Sequence, residues 1–215
     1  ELNESEKKKN LSLESKEVKN RIVNDMFNKC IKSKPSPIYN KKFIKRVTLG
    51  NFEDDINKIS EVDWIIEVVV EKLEIKKTVF DLVERHRTEG TLVTSNTSGI
   101  PIKLMNEGRS DDFKKNFAIT HFFNPPRYLN LFEVIPGPDC EKSVLDFLME
   151  YGEKFLGKTS VLAKDTPAFI GNRIGTFGIQ SLFHQVKNGE FSVEEIDKLT
   201  GTAIGRPKSA TCLLY

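Results

Sequence analysis

Asp63–Val70 reads D-W-I-I-E-V-V-V, a nearly unbroken run of apolar and mostly β-branched residues. A run this short and this continuous predicts a strand buried on both faces, the kind found inside parallel sheets. Helical patterning over 72–88 follows it. Next come strand Thr91–Ser95, a short helix near 101–106, strand Phe117–His121, strand Leu131–Ile135, a helix over 141–156 and strand Ser160–Ala163. Alternation of strands with helices implies an α/β fold with a parallel sheet and right-handed crossovers.

The flanks obey different patterns. Residues 4–35 read as one long charged helix, with Val18, Ile22, Val23, Met26, Phe27, Cys30 and Ile31 forming a stripe to be buried; Pro35 and Pro37 stop it. A short basic helix near 40–45, a small strand Val47–Leu49 and a helical turn or two over 52–60, capped by Asn51, complete the approach to Asp63. After Asp165-Thr166-Pro167 no strand signal remains. Residues 168–188 predict a helix, and Ser192-Val-Glu-Glu195 opens another with a capping box. The expected organisation is a sheet domain over 1–165 and the beginning of an α-helical domain over 166–215. Without an initiator Met, the chain reads as a segment of a longer one.

Parallel nucleotide-binding sheets normally open with a strand, a glycine-rich turn and a helix. No G-x-G-x-x-G occurs: Gly171-x-x-x-Gly175 and Gly201-x-x-x-Gly205 have other spacings and no preceding strand. If the fold is of this kind, its first two strands lie outside the sequence. In the strand order 3-2-1-4-5-6 the gap falls between 47–49 and 63–70, leaving an unpaired edge.

Charge excludes some classes. With 33 basic and 31 acidic residues the formal charge is +2, giving no whole-molecule case for nucleic acid. No apolar stretch approaches the roughly 18 residues of a membrane helix, and the charged N-terminus is no signal peptide. Cys30, Cys140 and Cys212 lack metal-ligand spacing and read as reduced thiols of an intracellular, cytoplasmic protein, mitochondria and peroxisomes being left open.

Four phrases carry chemistry: S-N-T-S-G (95–99), H-F-F-N-P-P (121–126), L-F-E-V-I (131–135) and K-D-T-P-A-F-I-G-N-R (164–173). Each sets one polar side chain where an apolar run meets a polar turn: Ser98, His121, Glu133 and Asn172. An imidazole titrates near neutral pH and suits a general base; a carboxylate can orient it; hydroxyl and amide groups can bond a substrate oxygen.

Together with D-W-I-I-E-V-V-V-E-K-L-E-I-K-K, these phrases closely resemble, in order from about Asp63 to Gly205, the L-3-hydroxyacyl-CoA dehydrogenase family of fatty-acid β-oxidation. The phrase I-G-R-P-K-S-A (204–210) looks most like the large bifunctional members that carry a fused enoyl-CoA hydratase domain. The resemblance implies an incomplete Rossmann-like NAD-binding domain over 1–165, lacking its first two strands, with a helical insertion over 4–46. The all-α dimerisation domain of a homodimer would begin at 166. It further implies NAD-dependent oxidation of L-3-hydroxyacyl-CoA to 3-ketoacyl-CoA. His121 is then the base, Glu133 its orienting carboxylate, and Ser98 and Asn172 the contacts to the substrate oxygen. Glu71, Lys76, Ser98 and Asn124 would approach the cofactor. The CoA phosphates would find their nearest basic candidates on helix 4–35 and in Lys41-Lys42-Phe-Ile-Lys45-Arg46. Departing from the family are the missing glycine-rich turn and its acidic partner, and a tail, Cys212-Leu-Leu-Tyr215, that stops where the family continues.

Plainer roles compete for the same residues. Ser98 can cap the following helix, Asn172 can bond its own helix backbone, Glu71 can favour a helix dipole, and Lys76 and the 41–46 cluster can be solvated surface. His86 and His184 read as surface or interface residues. Rival functions are a non-catalytic acyl-CoA-binding or dimerisation fragment, and a hydrolase using Ser98, His121 and Glu133. The hydrolase lacks the G-x-S-x-G elbow that exposes a serine nucleophile. Dehydrogenases of the same fold that use a lysine base do not match H-F-F-N-P.

Overall fold

A computed structural model describes residues 2–205, 211 and 212. Residues 206–210 of the I-G-R-P-K-S-A phrase and 213–215 of the tail lie outside the described residues. The chain divides into two compact units, Glu1–Asp165 and Thr166–Tyr215.

The first unit is built on a five-stranded sheet in the order β1 (Trp64–Glu67), β2 (Leu92–Ser95), β3 (Phe117–Phe122), β4 (Leu131–Pro136) and β5 (Thr159–Leu162). β1, β2 and β3 are parallel neighbours, joined by α4 (Leu73–His86) and by the short α5 (Ile102–Met105) and α6 (Asp111–Lys115). β4 runs antiparallel to β3, and β5 parallel to β4. The sheet is thus mostly parallel, with one reversal that the uniform parallel expectation missed. The residues between β3 and β4 hold no helix, and such a short connection favours antiparallel return.

Side chains alternate in direction along each strand. The even-numbered face, with Leu92, Ala118, Phe132 and Val134, is sealed by Leu148 of α7 (Lys142–Lys154). Gly152 on α7 lets this helix sit close: a Cβ there would lie 2.7 Å from the Phe132 ring. On the odd-numbered face Phe117 packs against Phe80 of α4 and Phe113 of α6, with ring centroids 5.4 and 5.2 Å away. Edge-to-face and offset aromatic contacts of this kind contribute beyond their buried area.

Three local expectations are corrected. The helix expected over 4–35 is three: α1 (Glu4–Lys8), α2 (Lys16–Lys19) and α3 (Arg21–Lys32). Asn10 takes a left-handed φ of 52°, and Ser12 N donates to Ser15 Oγ at 2.9 Å, so short polar side chains divert the backbone from the helix. The stripe on α3 is not buried: Ile22 is 70% exposed. Together with Met26, Leu49, Phe52 and Val68 it lines an open groove of about 1030 Å³. Val47–Leu49 forms no strand, having no ladder partner beside it. β1 is shorter than the run 63–70 and lies at the sheet edge, leaving Ile66 43% and Val68 67% exposed rather than buried on both faces. Asn51 does cap its turn, its Oδ1 accepting from Glu53 N and Asp54 N at 2.9 and 2.8 Å.

The second unit holds α8 (Gly171–Lys187) and α9 (Val193–Thr200). α8 starts three residues later than the pattern suggests, because Ala168 and Phe169 have φ of 63° and 43°, outside the helical region. Ser192 and Glu195 form the expected capping box on α9.

Candidate active site

His121 and Glu133 are directly paired residues of the antiparallel β3–β4 ladder. Directly opposed residues put their side chains on the same face within reach of one another. Here the His121 Nδ1 to Glu133 Oε2 distance is 2.7 Å, and both side chains are buried. A carboxylate held against Nδ1 selects the tautomer with the proton on that nitrogen, which gives Nε2 the lone pair. Phe123 lies against the imidazole, its ring centroid 4.6 Å away.

The register places Glu67 opposite Ser95 on β1 and β2. By alternation both share the odd-numbered face with His121 and Glu133. At this carboxyl end of the parallel strands a second polar group forms. Lys76 of α4 donates to both carboxylate oxygens of Glu67 at 2.9 Å, and its Nζ stands 3.3 Å from Glu71 Oε2. Glu71 in turn accepts from Thr97 Oγ1 and, at 3.0 Å, from Ser98 N. Partial burial works to raise the Glu71 pKa. The bonds from Thr97 and Ser98 and the charge of Lys76 outweigh it and hold the carboxyl below the ordinary value.

These contacts decide among the competing local roles. Ser98 does not cap α5, which begins at Ile102 with no side-chain cap from Pro101; Asp165 Oδ2 accepts from Ile102 N instead, at 2.9 Å. Ser98 is exposed on the loop after β2. Glu71 precedes α4 but turns its carboxylate to Thr97 and Ser98. Lys76 is not solvated surface, since its side chain is 1% exposed. Asn124 is exposed on the loop after β3, and Asn172 is partly buried in the first turn of α8, in the second unit. Lys41–Arg46 is an exposed 3-10 turn in which Arg46 lies over the Phe43 ring. His86 bonds Leu82 O of its own helix.

Sequence patterning missed Glu67, Ser95 and Thr97. A charged residue in the middle of the D-W-I-I-E-V-V-V run was the available signal, because a carboxylate inside a strand of that kind requires a buried partner.

The family model for the 3-hydroxyacyl-CoA dehydrogenase NAD binding domain matches residues 7–166. The chain belongs to the 3-hydroxyacyl-CoA dehydrogenase family. A Bacillus subtilis protein named as a 3-hydroxyacyl-CoA dehydrogenase is 51% identical over 210 residues, covering 98% of this chain and 27% of that protein. A Rickettsia felis protein that carries the name of a fatty acid oxidation complex trifunctional enzyme is 36% identical over 196 residues, covering 91% of this chain and 27% of its own length. Among solved structures, Mycobacterium tuberculosis FadB2 superposes with a TM-score of 0.70 at 26% identity, covering 88% of this chain and 65% of that one. The chain therefore spans about a quarter of the two curated relatives. What it contributes to the family's fold is NAD-binding-domain architecture over the matched residues, and the His121–Glu133 pair, Glu71, Lys76, Ser98 and Asn124 all lie inside that span. Among the described residues no group of His, Cys, Asp and Glu is arranged to hold a metal ion. No described helix is long and apolar enough to cross a membrane.

Proposed function

We propose that the protein oxidises L-3-hydroxyacyl-CoA to 3-ketoacyl-CoA, with His121 as general base. The observation that carries this reading is the 2.7 Å contact between His121 and Glu133 across directly paired strands. NAD, when bound, supplies the acceptor for the hydride leaving C3. His121 takes the hydroxyl proton on Nε2, and the Glu133 carboxylate stabilises the imidazolium that results. Ser98 bonds the substrate oxygen through its hydroxyl, which can face an alcohol or a ketone and so serves either direction. Asn172 is assigned the same contact on its sequence phrase alone.

The residues present suit one end of the cofactor. Glu71, Ser98 and Asn124 offer a carboxylate, a hydroxyl and an amide, donors and acceptors matched to ribose hydroxyls and a carboxamide. A pyrophosphate calls for a glycine-rich turn feeding a helix N-terminus, and residues 1–215 contain no such sequence.

Two further assignments accompany this reading. The exposed Ile174 and Phe177 of α8 favour association of the helical unit with a second copy. Three unbridged cysteines favour a reducing, cytoplasmic setting.

His121→Gln and His121→Ala in the full-length protein test the central assignment. Loss of general base catalysis lowers kcat by about a hundred- to ten-thousandfold, with the circular dichroism spectrum retained. Turnover at the unaltered rate in either variant rejects His121 as the base.

A further inference from the structure

The loop 97–100 carries Ser98 away from β2, and side chains hold all four of its amides. Thr97 N donates to Ser95 Oγ at 3.3 Å, and Ser98 N to Glu71 Oε1 at 3.0 Å. Gly99 N and Ile100 N both donate to Thr97 Oγ1, at 3.3 and 3.0 Å. Such a loop has the shape its side-chain partners impose.

Those partners are themselves anchored, and the anchors converge. Ser95 Oγ donates to Glu67 Oε2 at 2.5 Å. Thr97 Oγ1 donates to Glu71, Glu71 faces Lys76, and Lys76 binds Glu67 through both oxygens. Glu67 also accepts from Val69 N at 2.5 Å, which ties it to the main chain leaving β1. Its side chain and that of Lys76 are each 1% exposed, whereas Glu71 is 46% exposed. Two carboxylates thus share one buried ammonium, the inner one holding it closely and the outer one loosely. Removing the inner partner leaves that buried charge uncompensated. Glu71 is the carboxylate still beside it, its Oε2 facing Lys76 while its Oε1 holds Thr97 and Ser98, so a closer approach to Lys76 pulls on both loop bonds.

We propose that Glu67 is a positioning residue: through Ser95 on one side and the Lys76–Glu71 pair on the other, it sets the shape of loop 97–100 and the place of the Ser98 hydroxyl. Its bearing on turnover rests on the assignment of Ser98 to the substrate oxygen, while its hold on the loop does not.

Hydrogen–deuterium exchange of the full-length protein separates the two. Glu67→Gln keeps the side-chain shape and removes the charge, and peptides covering 97–100 exchange about tenfold faster while those covering β3 and β4 do not change. Adding Lys76→Met removes the stranded cation and returns the loop to near its original protection, which a general loss of packing would not do. KM for a 3-hydroxyacyl-CoA rises about five- to tenfold in Glu67→Gln, with kcat altered less. Unchanged loop exchange in Glu67→Gln, or a double variant as fast as the single one, overturns the proposal. A loosened loop with unaltered KM supports the hold of Glu67 on the loop and removes Ser98 from the substrate contacts. Should Glu67→Gln not fold, Ser95→Ala cuts one anchor alone: about threefold faster exchange at 97–100 supports the proposal, and no change overturns it.

Discussion

Two carboxylates at the carboxyl end of the strands are held in opposite ways. Glu133 is buried and faces an imidazole; Glu71 is half exposed and kept ionised by Thr97, Ser98 and Lys76 against the cost of partial burial. A carboxyl whose folded pKa lies below its unfolded one adds stability above the ordinary value of 4.5 and loses it as pH falls through the folded pKa. Glu84, bonded to Ser110 N and Arg109, is shifted the same way. The urea midpoint is therefore expected to fall between pH 5 and pH 3, on the order of the ordinary carboxylate range. Glu71→Gln should flatten that fall; an equally steep profile in the variant would show that Glu71 contributes nothing to it. At this scale His121 and Glu133 were legible because each sits in a short apolar run twelve residues from the other, so adjoining strands could bring them together. The partners of Glu71 were not legible: Thr97 and Ser98 are a helix and a strand away, and nothing local in either phrase announces the contact.

Elements were legible where hydrophobic periodicity and tertiary demand agree. α4, α7 and the central strands have apolar sequence and a layer to bury it against. The long N-terminal helix and the strand at Val47–Leu49 fail for different reasons. Asn10, Ser12 and Ser15 offer the backbone competing hydrogen bonds, and Val47–Leu49 has no neighbouring strand to complete a ladder. α6 escaped notice because five residues, Asp111–Lys115, carry too little pattern for a periodicity to emerge. α7 approaches the sheet closely at Gly152. A methyl group at Gly152 would collide with the Phe132 ring of β4 and with the Ser160 hydroxyl of β5, which is itself bonded to Met149 O. Gly152→Ala is expected to destabilise the first unit by about 1–3 kcal/mol in urea denaturation. A neutral or stabilising effect, as helix propensity alone would give, would mean that α7 can shift outward at little cost.

Across the whole molecule, the two halves of a dinucleotide site are unequally represented. The residues proposed for the nicotinamide end lie in the first unit, while no glycine-rich phosphate turn occurs in the 215 residues. By calorimetry, residues 1–215 alone are expected to bind NAD with Kd above about 1 mM; micromolar binding would show that some other element cradles the pyrophosphate. The unpaired edge at β1 was expected from the interrupted sheet order, but the apolar groove next to it, lined in part by α3, was not, because a stripe on a helix does not state what it will meet. β1 lies at the margin of the sheet, with Ile66 and, just beyond the strand, Val68 exposed. A margin of that kind offers main-chain donors and acceptors to any extended peptide, so preparations of these residues should grow less soluble as concentration rises, and short β-forming peptides should compete for the same seat.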